Sequence, residues 1–525
     1  MFSLKSVATV GGLTLASRAL GFLREVLMAQ FFGTGPIAEA FVVAMRLPNL
    51  FRQLFAEGAF NSAFVPMFAG ELETPGPRGG PMGARRFAES VLSALLLVLA
   101  ALTVVAELGM PWLIRVFAPG FHEYPEKFAA AVLFTQITFP YLLFMSLGAL
   151  QGGVLNALGR FADAAAAPIL LNVVMIVVLY TLVPPTFDAE GHVTARSGEI
   201  LSIAVTVAGM LQFLWLAVTC QRTGMHLHLP WPNLSPAVKR VMVRMVPGLV
   251  GGGVNQINLT VATILATLQP QAVTYLYYSD RLYQLPLALI GSAIGVVLLP
   301  SLTRALRGQR PEEAMRIFNR AIEMGFFLSL PAAVALTVAA LPIITVLYER
   351  GAFSHADSVH VSYALTAIAL GLPAYVLNKS LSAGFLARED TMTPFRFAVI
   401  GVCADIAISL SLFPFIHYIG IALGTAGAAW VNCGLLYFTL RRRGYLVLDR
   451  KLFRTLPRLA LAAAVLGVAL WWGIKPLQAF LADGEAVRML ALAVLVGGGM
   501  ALYLVLVIAT GAIPRRELMR FIRRG

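Results

Sequence analysis

The residues with the most chemical potential lie near the start of the chain. Between positions 17 and 57 come Ser17-Arg18, Gly21, Arg24-Glu25, Glu39, Arg46, Pro48-Asn49, Arg52 and Glu57, set among long apolar runs. A charge at the centre of a bilayer costs roughly 2.5–3.5 kcal/mol. Four arginines in such runs must therefore face protein or water. At about 100° per residue, Arg18 and Glu25 share one helix face, and Ser17 and Arg24 another. One reading is ion pairing between helices or snorkelling to the interface. The other is a polar cavity that receives an anionic group. The use of Arg rather than Lys favours the cavity, because a planar guanidinium fork matches phosphate oxygens.

The second half of the chain holds fewer embedded charges. Asp280-Arg281 is a neighbouring pair, Lys379 stands alone, and Asp405 sits in mid-run with no basic residue close in sequence. Asn255 and Asn258 occupy another apolar run. A carboxylate with amide oxygens can bind a monovalent cation or exchange a proton, so Asp405, Asn255 and Asn258 are candidates for ion coupling. The plainer reading is a hydrogen-bonded helix contact. Catalytic and metal-binding motifs are not found: there is no paired carboxylate on a loop and no phosphate-binding Gly-rich loop. Cys220, Cys403 and Cys433 read as small apolar residues, and His226 and His228 as surface residues.

These residues need elements that cross a membrane. Hydrophobic residues make up 58% of the 525, and charged residues 13%, where a soluble domain carries about 25% charge. The expected fold is all-α and polytopic. Spans are expected at about 6–32, 36–66, 87–114, 128–155, 163–184, 198–220, 240–267, 271–302, 320–348, 358–386, 394–416, 419–440, 456–476 and 487–511, which makes 14. The start does not read as a signal peptide, since only Lys5 precedes an apolar stretch that runs on through Arg18 and Arg24. The net charge of +14 is spread over short loops without interleaved aromatics, which excludes a nucleic-acid surface. Of 40 Lys and Arg, 28 fall in alternate loops and the two ends, six on the opposite side and six within spans. That asymmetry places both termini in the cytoplasm.

The first 12 spans read as two copies of a six-span unit, offset by roughly 230 residues. Met45-Arg46-Leu47 matches Asp280-Arg281-Leu282, Val65-Pro66 matches Leu299-Pro300, and Pro140-Tyr141 matches Pro373-Ala374. The expected lobes are 1–222 and 223–440, with 441–525 carrying two added spans and a cytoplasmic tail. Parallel repeats of this kind place a substrate site at the interface of the halves.

Seven stretches then carry a specific resemblance. They are Ser-Arg-x-Leu-Gly-Phe-x-Arg-Glu (17–25), Leu-Pro-Asn-Leu-Phe-Arg (47–52), Phe-Ala-Glu-Gly-Ala-Phe-x-x-Ala-Phe-Val-Pro (55–66), Tyr-Ser-Asp-Arg-Leu (278–282), Leu-Leu-Pro-Ser-Leu (298–302), Glu-Arg-Gly-Ala-Phe (349–353) and Ala-Arg-Glu-Asp-Thr-x-Thr-Pro (387–394). The chain resembles, over essentially its whole length, the MurJ/MviN family of the MATE-like exporter superfamily. The resemblance implies a lipid II flippase of the bacterial inner membrane, acting in peptidoglycan and cell-wall synthesis by alternating access of two lobes. It implies substrate contacts from Arg18, Arg24, Arg52 and Arg281, a basic partner at Arg46, and a cavity acid at Glu39. Ser17, Asn49 and Asp280 complete the expected substrate-binding set. Many relatives carry Glu where this chain has Gln284. The added spans are similar to those that form a groove for the lipid tail.

No cofactor is expected, and energy is expected from Na+, H+ or the membrane potential. Expected partners are lipid II, membrane lipids and cell-wall synthesis proteins, with the chain itself a monomer. The alternatives are a flippase for another polyprenyl-linked oligosaccharide, or an ion-coupled drug exporter of the same superfamily. A cation exporter calls for an excess of embedded acids. Here six embedded cations face Glu25, Glu39, Glu57, Asp280 and Asp405. A polyprenyl-dependent glycosyltransferase would need catalytic acids on an outer loop, and a scaffold would have no use for the arginines.

Overall fold

The computed structural model describes residues 4–55, 59–75, 79–231, 235–481 and 484–512. The described chain is helical, and it divides into two compact units, residues 1–274 with 350–353, and 275–349 with 354–525.

The first unit contains α1 (Leu4–Phe32), α2 (Pro36–Phe55), α3 (Ala59–Glu73), α4 (Gly80–Leu108), α5 (Met110–Phe117), a 3-10 turn (Pro119–Glu123), α6 (Pro125–Thr138), α7 (Tyr141–Ala157), α8 (Phe161–Thr181), α9 (Ala195–Arg222) and α10 (Pro236–Thr267). α1 packs on α8, α2 on α6, and α7 on α9. Its core is built around Phe60, Phe64 and Phe87, whose rings stack with centroids 5.2 and 5.6 Å apart. α10 begins the second sequence repeat, yet it packs on α2, α3 and α4. Sequence repeat and packing unit therefore divide the chain at different places.

Residues 350–353 also belong to this unit and account for the Glu-Arg-Gly-Ala-Phe motif. The Ala352 amide donates to the Gln30 carbonyl at 2.8 Å. Gly33 and Gly351 have φ of +59° and +58°. A Cβ at either would lie 2.4 or 2.3 Å from a backbone oxygen across the contact. Only glycine meets both demands.

The second unit begins within α11 (Ala272–Arg307). It continues through α12 (Pro311–Val338), α13 (Ala340–Tyr348), α14 (His355–Ala369), α15 (Leu372–Leu386), α16 (Met392–Ile416), α17 (Tyr418–Arg442), α18 (Arg450–Leu481) and α19 (Glu485–Ala509). α16 packs along α17, and α18 on both α12 and α19. Pro331 lies inside α12 and cannot donate to the Phe327 carbonyl. The Tyr503 hydroxyl of α19 donates to that carbonyl instead, at 3.0 Å. The chain between α17 and α18 is fastened at both ends. Arg443 pairs with Asp390 at 2.8 Å, and Asn319 of α12 donates to the Val447 carbonyl at 2.9 Å. The Thr393 hydroxyl and amide, with Arg443, push the Asp390 carboxyl down to about 2. Glu323, buried in α12, pairs with Arg320 and lies 3.9 Å from Lys451.

The repeat is visible in the elements. A long helix, a short one and a broken span follow in each half, starting at Gly80, Met110 and Pro125, and again at Pro311, Ala340 and His355. The break in the first half falls at Phe139-Pro140, and in the second at Leu370-Gly371, just ahead of Pro373. Proline is favoured at a helix start and not in its interior.

Among the described residues, 11 helical stretches are long and apolar enough to cross a membrane. Their surfaces are correspondingly apolar, with Leu108 81% and Phe415 80% exposed. The expected 14 is thus not reached on length and apolarity alone. The first, second and eighth expected spans, which correspond to α1, α2 and α11, are not among these stretches.

Candidate functional site

α2 is the most polar of the three charged helices. Pro48, buried inside it, has no N–H for the Ala44 carbonyl. The Thr138 hydroxyl of α6 donates to that carbonyl at 3.2 Å, so the interruption is satisfied within the protein. Close to this point Arg46 hydrogen-bonds the Thr263 hydroxyl of α10. Two turns further on, Gln53 accepts from the Gln256 amide of α10. Arg52 donates through Nε to Asn49 Oδ1 at 3.0 Å. Gln256, Thr260, Thr263 and Thr267 are spaced by four, three and four residues, which is one stripe of a helix. Arg46, Gln256, Thr260 and Thr263, with the apolar walls of Leu47 and Phe117, line a narrow cleft. This surface can offer a cation and several neutral hydrogen-bonding groups to a polar ligand.

On α1, Arg24 pairs with Glu25, which is 3% exposed. Asn172 of α8 donates to the Ser17 carbonyl at 3.0 Å, and a Cβ on Gly21 would lie 3.6 Å from the same amide. Arg18 is exposed.

Glu39 has a different setting. It is 1% exposed and forms an ion pair with Lys127 of α6, which is 6% exposed. The Lys127 ammonium also lies 4.0 Å from the centre of the Phe121 ring. Removing one partner from a pair this deeply buried costs about 3–5 kcal/mol.

In the second unit, the Arg281 guanidinium lies over the Tyr277 ring, 4.7 Å from its centre. Gln284 donates to Asp280 at 2.5 Å, one turn along α11. Asp405 is 2% exposed and accepts from Ser409 at 3.1 Å. Gly424 of α17 closes over both groups, since a Cβ there would come 2.1 Å from the Ser409 oxygen and 2.8 Å from the Asp405 carboxylate. Lys379 is exposed and runs across Gly291, where a Cβ would meet its ammonium at 2.4 Å.

The expected residues thus fall in two sets. Ser17, Arg18, Arg24, Glu39, Arg46, Asn49 and Arg52 belong to the first unit; Asp280, Arg281 and Asp405 belong to the second. Asn258 lies on α10 in the first unit and Asp405 in the second. Glu57 and the side chain of Asn255 lie outside the described residues. Lys127, which lies just ahead of the span expected at 128–155, is a buried residue of α6. The polar stripe of α10, Gln256, Thr260, Thr263 and Thr267, is legible in the sequence from its spacing of four, three and four. Asp188, Glu190 and His192 come within metal-ligand reach of one another, but all three are exposed, on the loop between α8 and α9.

The sequence profile described as "Lipid II flippase MurJ" matches residues 28–507. The chain is 44% identical over 531 residues to "Probable lipid II flippase MurJ" of Rhizobium meliloti, covering 100% of this chain and 97% of that protein. It is 35% identical over 477 residues to "Lipid II flippase MurJ" of Burkholderia cenocepacia, covering 89% of each. The fold is similar to a solved structure, "Lipid II flippase MurJ, inward closed conformation", with a TM-score of 0.76 at 23% identity over 95% of this chain and 97% of that one. It is also similar to an inward-facing MATE multidrug transporter of the MOP superfamily, with a TM-score of 0.64 at 14% identity over 83% of this chain and 97% of that one.

Proposed function

The chain belongs to the MurJ family of lipid II flippases, and we propose on that premise that it carries lipid II from the inner to the outer leaflet of the bacterial inner membrane. It is a multi-pass membrane transporter and makes or breaks no bond. The substrate joins a diphosphate and a disaccharide-pentapeptide to a long isoprenoid. Moving that head group through bare hydrocarbon would strand many polar groups, each at a cost of several kcal/mol. A polar path through the protein removes the barrier while the tail stays in lipid.

The observation that carries the reading is the placement of arginine. The three polar helices α1, α2 and α11 bear Arg18, Arg24, Arg46, Arg52 and Arg281, a surplus of cations that suits an anionic cargo. In this reading Arg24, Arg52 and Arg281 hold the diphosphate, with Arg18 and Arg46 in support and Ser17, Asn49 and Asp280 around them. Asp405 couples transport to a monovalent cation or a proton, and both termini are cytoplasmic. Depletion of the protein in cells, followed by labelling of lipid II on each leaflet, tests the function. Lipid II is expected to accumulate on the inner leaflet, and an unchanged distribution refutes the assignment.

A further inference from the structure

Lys127 lies on a different helix from every arginine assigned to the substrate, yet it is held with unusual care. Gly120 seats the 3-10 turn against the end of α10: its amide meets the Thr267 hydroxyl at 3.4 Å, and a Cβ there would lie 2.0 Å from the Thr267 carbonyl. That contact places the fully buried Phe121 ring beside the Lys127 ammonium. The ammonium in turn holds one oxygen of Glu39. The other oxygen accepts from the Val273 amide at 3.3 Å, and the Gln271 amide donates to the same carboxylate. One residue further on, the Thr274 hydroxyl donates to the Thr34 carbonyl at 3.0 Å. Ala272, Val273 and Thr274 are completely buried. Gln271 adopts φ of +65°, a backbone state that a non-glycine residue keeps only where its surroundings impose it.

These contacts all converge on the first turn of α11. The division of the molecule into compact units falls immediately after them, between Thr274 and Tyr275, inside that helix. We propose that Lys127 is a positioning residue for transport: through Glu39 it pins the first turn of α11 and so fixes the pivot of the helix that carries Asp280 and Arg281. The inference rests on the lipid II reading above and revises one part of the expected site. Glu39 acts on backbone amides of the protein, not on the substrate. Its 1% exposure leaves almost no surface for a ligand. A carboxylate at the start of a helix complements the helix dipole, and Lys127 supplies the countercharge that a buried carboxylate needs. An apolar pair of the same volume could fill the space equally well. It could not accept the two amides that open α11.

The test uses the full chain in proteoliposomes and in a depleted strain, with Lys127→Met, Lys127→Arg and Glu39→Gln. Three quantities are read: lipid II binding, transport, and hydrogen exchange at the Gln271 and Val273 amides. Lys127→Met is expected to lower transport about tenfold, a size typical of residues that modulate coupling without touching ligand. Its lipid II binding should be unchanged and exchange at the two amides faster. Lys127→Arg, which keeps the charge, should restore much of the transport. The double variant of Lys127→Met and Glu39→Gln should cost no more than the worse single one, because both remove one contact. Normal transport by Lys127→Met with loss of lipid II binding by Glu39→Gln overturns the proposal and returns Glu39 to the substrate. Should Lys127→Met fail to accumulate, Glu39→Gln is read alone, and unaltered exchange at Gln271 and Val273 overturns it equally. The exchange measurement needs no substrate, so failure of the lipid II reading would appear separately, as absent binding by the unaltered protein.

Discussion

The geometry of arginine suits the cargo proposed for α1, α2 and α11 better than that of lysine. A diphosphate can accept charge-assisted hydrogen bonds from more than one guanidinium, each worth roughly 1.5–3 kcal/mol. Lysine keeps the charge but loses the two-pronged fork. Arg24→Lys, Arg52→Lys and Arg281→Lys are therefore expected to weaken lipid II binding and growth, and the alanine variants to weaken both further. Purely structural arginines make another forecast, in which the alanine variants fail to accumulate in the membrane. Membrane abundance, lipid II binding and complementation of a depleted strain separate the two. Normal binding and growth in all three alanine variants would leave these residues without the role. The existing partners sharpen the expectation for Arg52, whose hydrogen bond to Asn49 fixes one edge of its fork. Asn49→Ala should reproduce a milder form of the Arg52 defect.

At the scale of the helix, Asp405 depends on how closely α16 and α17 meet. Gly424 allows that approach, because it has no room for a Cβ beside Ser409 and Asp405. The carboxylate is thereby closed into the helix pair with Ser409. Asp405→Asn keeps the shape of the side chain, so it is expected to leave lipid II binding intact and abolish the ion dependence of transport. Full ion dependence in that variant places coupling elsewhere. The same helix pair indicates what sequence can reveal. Long apolar runs marked the helices, because that signal is local, whereas the breaks beside Pro140 and Pro373 fall inside what the sequence reads as single spans at 128–155 and 358–386. The Glu39–Lys127 pair was invisible because its partners stand 88 residues apart and Lys127 follows a proline in what reads as a loop. The roles of Thr138 and Tyr503 were equally hidden. Each serves a carbonyl released by a proline on another helix, and nothing near Thr138 or Tyr503 in sequence announces it.

For the whole molecule the open quantity is how many helices cross. Eleven of the described stretches qualify on length and apolarity, an odd number, which would put the two ends of the chain on opposite sides. Adding α1, α2 and α11 makes 14 and returns both ends to one side. α11 is the decisive element. Without its crossing, nine spans separate the basic loop ahead of α4, near Arg86, from the basic loop after α17, near Arg442, and these two loops would face opposite compartments. Such an arrangement would scatter the 28 Lys and Arg across both faces, against the bias that orients membrane proteins. Both loops are therefore expected in the cytoplasm. Arg86→Cys and Arg442→Cys suit the test, since both positions are exposed, whereas Arg443 is held by Asp390. Cys220 and Cys433 are buried, and the exposed Cys403 is first replaced by serine. An impermeant maleimide added to intact cells should leave both introduced cysteines unlabelled and should label a third at Glu190, on the exposed loop between α8 and α9. After the membrane is opened, positions 86 and 442 should react. Labelling of Arg442→Cys from outside while Arg86→Cys stays protected would mean that α11 does not cross. Arg281 would then need a different account from the one that places it in the path of the substrate.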